Sequence, residues 1–141
     1  MERRGLVLIP DVAHLALFAG CDRHELERIR SLVTAIRLPA DHVVIERGAA
    51  PRQFAVIADG EVAVVDGRGV EVAVLGPGSI VGELGLLCDV PAGATVRTLT
   101  PVVVYVGNRW EFQAMLEASP RLDRRVAHLA LARLHAARAV S

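Results

Sequence analysis

Between residues 36 and 107 the chain passes through seven short β-branched segments, each ended by a turn signal, with no helical run between them. The segments are His42–Glu46, Phe54–Ala58, Glu61–Val65, Val70–Leu75, Ser79–Val81, Ala94–Leu99 and Val102–Gly107. The breaks fall at Ala40-Asp41, Arg47–Pro51, Asp59-Gly60, Asp66–Gly69 and Gly76–Gly78. Short strands joined by tight turns predict an antiparallel sandwich or barrel, and this zone dictates the fold class: mainly β with flanking helices.

The flanks change period. From 10 to 36 the pattern is helical. Pro10 opens a first turn, and Val12, Leu15, Ala16 and Phe18 share a face. Asp22 then reads as an N-cap with Glu25 at the capping-box position, followed by Leu26, Ile29, Leu32, Val33 and Ile36 at helical spacing until Pro39. From 108 to 138 the chain is helical again. Asn108 caps with Glu111 three residues on, and Phe112, Met115 and Leu116 follow, with Trp110, Phe112 and Met115 expected in the core. Ser119-Pro120 starts a second helix. Its apolar residues Leu122, Val126, Leu129, Leu131 and Leu134 form a stripe too wide to leave in water, which predicts docking on the sheets or pairing with a second copy. The dimer is favoured because the stripe is wide enough for both. One domain over 1–141 is expected, with no repeat or linker.

Charge narrows the partners. Sixteen basic residues, all Arg, balance sixteen acidic ones, so the basic excess of a chain living on phosphate backbones is missing and no nucleic acid is expected through this chain. The exclusive use of Arg reads as GC-rich, bacterial coding. Apolar residues are 52% of the chain, which excludes a disordered tail, and aromatics only 4%, so the core must be aliphatic. Cys21 and Cys88 are too few for a disulfide framework. No apolar run reaches the ~18 residues of a membrane span, and Leu6–Ile9 after Arg3 and Arg4 is too short for a signal-peptide core. A cytoplasmic protein is expected.

The stretch Gly76-Pro77-Gly78-Ser79-Ile80-Val81-Gly82-Glu83-Leu84-Gly85-Leu86-Leu87, continuing to Pro91-Ala92-Gly93-Ala94-Thr95-Val96, breaks the β pattern with one short helical turn. Gly82 and Gly85 bring backbone N–H groups close to whatever sits there, and the start of a helix favours an anion. A carboxylate at position 83 beside such a site makes sense against a neutral donor such as a sugar hydroxyl. It also serves as a favourable charge at a helix start.

Taken with Phe18–Gly20, Pro39 to Gly48, Gly60-Glu61-Val62 and Leu75-Gly76-Pro77-Gly78, this stretch resembles the cyclic nucleotide-binding domain family, the β-roll of catabolite activator proteins, kinase regulatory subunits and gated channels. The likeness covers about residues 10 to 134, and the segment from Gly82 to Val96 resembles the family's phosphate-binding cassette. The resemblance implies a jelly-roll-like β-roll and a regulatory sensor of cAMP or another cyclic nucleotide, with no catalysis of its own and no cofactor. It implies that Gly82 and Glu83 meet the ribose, Glu83 accepting from the 2′-hydroxyl, and that the N–H groups of Leu84 and Gly85 meet the cyclic phosphate. It places the family's phosphate-binding Arg at Ala92 and a further phosphate or guanine contact at Gly93, with Ala94 and Thr95 completing the set.

The chain departs from the family at Ala92. A charge-assisted contact contributes ~1.5–3 kcal/mol, so its loss is expected to weaken binding by roughly 10- to 200-fold. Arg97, on the face of the strand shared with Thr95, and Arg52 are the candidate substitutes. The alternative is a degenerate domain that no longer binds nucleotide and serves as a structural or interaction module.

Other motifs fail. Glycines 76, 78 and 82 miss dinucleotide spacing and lead into no long helix. His24-Glu25-Leu26-Glu27-Arg28 lacks the second His of a zinc protease. His14, His24, His42, His128 and His135 form no H-x-H pair, so no metal centre is expected. Arg133, His135 and Arg138 read as cations suited to a helix C-terminus.

Overall fold

The computed structural model describes residues 9–140, with side chains through residue 136. The readings on Arg3, Arg4, Leu6 to Leu8 and the Arg138 side chain lie outside these residues.

Two short 3-10 turns, Val12–His14 and Ala16–Phe18, lead into helix α1, Arg23–Leu32. Eight strands follow: β1 Thr34–Leu38, β2 Val43–Ile45, β3 Gln53–Asp59, β4 Val62–Val65, β5 Glu71–Leu75, β6 Ile80–Val81, β7 Thr95–Thr98 and β8 Val102–Asn108. A six-residue helix α2, Glu83–Cys88, interrupts them between β6 and β7. Helices α3, Arg109–Ala118, and α4, Pro120–Val140, close the chain. The strands form two four-stranded sheets, in the orders β1-β8-β3-β6 and β2-β7-β4-β5. Every pairing is antiparallel.

Strand periodicity explains the layers. On β3, Phe54, Val56 and Ala58 point to the helices, while Ala55 and Ile57 point to the second sheet. On β8, Val103 and Tyr105 face the helices, and Val102, Val104 and Val106 face the sheet. Successive side chains alternate sides, so the central strands β3 and β8 of the first sheet are largely buried on both faces and read as near-continuous apolar runs. The helix-side core holds Val12, Leu17, Phe18, Ile29, Phe112, Met115, Leu122 and Val126. The rings of Phe54 and Phe112 meet at 5.3 Å between centroids.

Both expected capping boxes form. Asp22 accepts from the Glu25 N–H at 2.9 Å while Glu25 accepts from the Asp22 N–H at 2.8 Å. Asn108 and Glu111 do the same, at 2.8 Å each way.

Three expectations are corrected. The helical zone set at 10–36 ends at Leu32, and Thr34–Leu38 is an edge strand paired only with β8. Val33 and Ile36 continue the helical spacing by coincidence. Within the same zone, Val12 to Phe18 forms 3-10 turns rather than a helix. Trp110 is 66% exposed rather than in the core, because Phe112 and Met115 take the inward face of α3.

Helix α4 docks on its own molecule. Leu122 and Val126 are fully buried and Leu129 packs on the same cluster. Arg125 fastens the docking from outside: its NH1 donates to the carbonyls of Leu17 at 2.6 Å and Ala19 at 2.8 Å.

Candidate functional site

Strand β6 runs into α2 through Gly82, which holds φ +86° as the helix N-cap. A Cβ there would lie 2.6 Å from the Gln53 carbonyl oxygen, so both conformation and space require glycine. This turn aims Glu83, the first residue of α2, into the protein. The Glu83 side chain is 2% exposed. Its Oε1 accepts from Arg133 NH1 at 2.7 Å, and the same nitrogen donates to the Ile80 carbonyl at 2.6 Å. Its Oε2 is buried with no partner.

Leu84 and Gly85 follow, half-buried. Space for a Cβ at Gly85 is tight, with Pro51 Cβ and the Val90 carbonyl oxygen each at 3.1 Å. The first N–H groups of α2, those of Glu83, Leu84 and Gly85, lack intrahelical acceptors by position. Arg109 ties the far end of α2 to α3. Its guanidinium donates to the Leu86 carbonyl at 3.3 Å, the Pro51 carbonyl at 3.2 Å and Asp89 Oδ1 at 3.1 Å.

The return segment is fastened by its backbone. The Ala92 N–H donates to the Ala49 carbonyl at 3.0 Å, and the Ala92 carbonyl accepts from the Gly48 N–H at 2.8 Å. Ala92 therefore offers a ligand neither a charge nor a free amide. Gly93 is exposed, with open space where a Cβ would stand. Ala94 is half-buried, and Thr95 starts β7 with its Oγ1 accepting from the Arg47 N–H at 3.1 Å.

The two candidate substitutes for the missing cation part company. Arg97 does leave the face opposite Val96, but it donates to Asp41 Oδ1 at 3.2 Å in an exposed pair, so it is spent on the β1–β2 turn. Arg52 is exposed beside Pro51. Two arginines that touch the cassette escaped sequence reasoning. Arg109 and Arg133 reach the cassette from 23 and 50 residues away. Arg133 reads in sequence as a helix-end cation, yet it lies well inside α4 and is committed to Glu83.

A cavity of about 100 Å³ lies between α2 and α3, against Leu86, Leu87, Arg109, Phe112, Gln113 and Leu116. Glu83 does not line it, and it is smaller than the ~300 Å³ at which small-molecule pockets begin.

Two antiparallel sheets bearing a short glycine-capped helix, with a carboxylate turned inward at its first position, describe a ligand-binding β-roll. The family model described as cyclic nucleotide-binding domain matches residues 35–119, and the chain belongs to that family.

Among its relatives, it is 35% identical over 120 residues to acetyltransferase Pat of Mycolicibacterium smegmatis, covering 82% of this chain and 36% of that protein. Among solved structures it resembles a cAMP-binding acyltransferase from Mycobacterium smegmatis, with 32% identity and TM-score 0.72, covering 89% of this chain and 40% of that one. It also resembles the regulatory subunit of a cAMP-independent protein kinase A from Trypanosoma brucei, with 25% identity and TM-score 0.74, covering 84% of this chain and 43% of that one. The chain thus spans well under half the length of these proteins. None of the helices among the described residues is long and apolar enough to cross a membrane.

Proposed function

We infer that this chain is a regulatory sensor domain that binds a cyclic nucleotide of the cAMP class, with affinity lowered by Ala92. The observation that carries this reading is Glu83 Oε2, a buried carboxylate oxygen without a donor, at the cassette position that the family uses for the ribose. A buried acceptor left unpaired costs about 1–3 kcal/mol, and a ligand hydroxyl would recover that. The chemistry fits a ribose better than a phosphate. Gly82, Glu83, Leu84 and Gly85 supply an acceptor and backbone donors, whereas Ala92, Gly93, Ala94 and Thr95 supply no cation.

Catalysis is not part of this role. The chain reports ligand occupancy to whatever it is attached to, and cAMP binding by the mycobacterial acyltransferase is a property of a relative that supports the ligand class.

The second reading, a domain that has lost its nucleotide and serves as an interaction module, is favoured by one observation. Both backbone groups of Ala92 are consumed by the 48–49 loop, where the family has its cation. The similar Trypanosoma brucei subunit belongs to a cAMP-independent protein kinase A, which supports this reading.

Calorimetric titration with cAMP and cGMP decides between the two readings. Binding in the micromolar range or weaker, abolished or strongly reduced by Glu83→Gln, is expected. No heat with either nucleotide at millimolar concentration supports the interaction module.

We also propose a homodimer through α4, resting on its exposed Leu131. Sedimentation of the wild type against Leu131→Asp tests it, and a wild type that stays monomeric at high micromolar concentration removes it.

A further inference from the structure

Arg47 stands beside the segment that lacks a cation. Its backbone N–H donates to Thr95 Oγ1 at 3.1 Å. The next two residues, Gly48 and Ala49, hold Ala92 through its carbonyl and its amide. The turn that carries Arg47 therefore flanks residues 92–95 on one side. On the other side lies β4, because β7 sits between β2 and β4 in the sheet and Thr95 is opposite Val65. Gly67 follows in the turn between β4 and β5.

The Arg47 guanidinium lies against Gly67. A Cβ at position 67 would stand 2.8 Å from Arg47 Cζ and Nε and 2.9 Å from its NH2. Gly67 has no positive φ, so glycine here provides space for the guanidinium rather than a special backbone conformation. The side chain thus runs from one flank of residues 92–95 to the other. It brings a positive charge to a segment whose own residues have none.

That charge is uncommitted. Arg97, Arg109 and Arg133 each pair with a carboxylate. Among the described residues, no carboxylate or carbonyl takes the Arg47 guanidinium. Arg52 is exposed too, but no contact among the described residues ties it to the segment.

We propose that Arg47 supplies the cation that Ala92 does not, meeting the anionic phosphate of the ligand from the turn after β2 rather than from the cassette. This rests on the reading of the chain as a cyclic nucleotide sensor. A guanidinium fork matches phosphate oxygens. An exposed one is hydrated and screened, so it holds them less firmly than an arginine at position 92 would. Affinity therefore stays low, and Ala92→Arg still gains.

Calorimetric titration of cAMP into the full chain tests this. The variants are Arg47→Gln, Arg47→Lys, Gly67→Ala, Ala92→Arg and the Arg47→Gln/Ala92→Arg double variant, with Arg52→Gln as control, each checked for folding by circular dichroism. Arg47→Gln is expected to weaken binding about tenfold. Arg47→Lys should recover part of that loss, since it keeps the charge but not the fork. Gly67→Ala keeps the charge but displaces it, so it should weaken binding as well. Arg52→Gln should bind like the wild type. In the Ala92→Arg background the phosphate already has a cation, so adding Arg47→Gln should cost much less there than in the wild type.

A folded Arg47→Gln that binds cAMP as the wild type does overturns the proposal and leaves the functional reading intact. An equal loss in both backgrounds also overturns it, because Arg47 would then only support its turn. Binding by Ala92→Arg but not by the wild type overturns it too, since Arg47 would not be replacing the missing cation. If neither the wild type nor a folded Ala92→Arg binds cAMP, the functional reading falls and the proposal falls with it.

Discussion

Glu83 shows how far a residue's role depends on what folding brings beside it. Its place at the start of a short helix after Gly82 was legible from the sequence. Its ion pair was not, because Arg133 stands 50 residues away and only the docking of α4 joins them. The consequence for stability is specific. Removing the guanidinium strands a carboxylate that is 2% exposed, which is far more harmful than losing a surface charge. Arg133→Ala is therefore expected to lower the melting temperature clearly, whereas Arg124→Ala, on the exposed face, is expected to leave it within a degree or two. Gly82 carries a second prediction at this scale. With φ +86° and a Cβ position 2.6 Å from the Gln53 carbonyl oxygen, Gly82→Ala combines left-handed strain with a backbone clash. A loss of at least about 1–3 kcal/mol is expected in chemical denaturation, and a neutral result would contradict the turn described above.

Elements with an internal signal were readable, and those defined by their neighbours were not. The capping boxes of α1 and α3 announce themselves because both partners lie within three residues. Seven of the eight strands were anticipated to within two residues at either end, since turn residues bracket them. Strand β1 was hidden. It is an edge strand, exposed along most of its length, so it shows no alternation, and its apolar residues continue the helical spacing of α1. Within α4, Leu122 is fully buried against the helix-side core, and Leu122→Ala should cost about 2–5 kcal/mol, read as a lower denaturation midpoint with an unchanged slope.

The first 3-10 turn and α1 are joined by Asp11 and Arg30, at 2.7 Å between Asp11 Oδ2 and Arg30 NH2. That guanidinium hydrogen bond, aided by the Ala13 N–H, holds the Asp11 carboxyl down at about 2, against an ordinary 3.8. A depressed carboxyl contributes stability that is present above about pH 4, fades as pH falls, and is gone below about pH 2. The pair is well exposed, so its share is small. Asp11→Asn should flatten the acid limb of a stability–pH profile between those limits and change little at pH 7.

At the scale of the whole molecule, two sheets and a helical layer hold the segment from Gly82 to Val96, which carries Ala at position 92. The fold was legible because its strands are short, bracketed and antiparallel. The short helix after Gly82 was legible from the motif, and the contacts around Ala92 were not. No spacing rule could say that Arg97 is taken by Asp41, or that the Ala92 amide is taken by Ala49. The central claim is that this is a cyclic nucleotide pocket weakened by one absent cation.

Titration of cAMP into the wild type and into Ala92→Arg tests that claim most directly, since Ala92 is only half-buried and the open space at Gly93 leaves room beside it. The account predicts micromolar or weaker binding by the wild type and a gain of about tenfold or more in the variant. Equal affinity, or no binding by either protein when Ala92→Arg is folded normally, would contradict it.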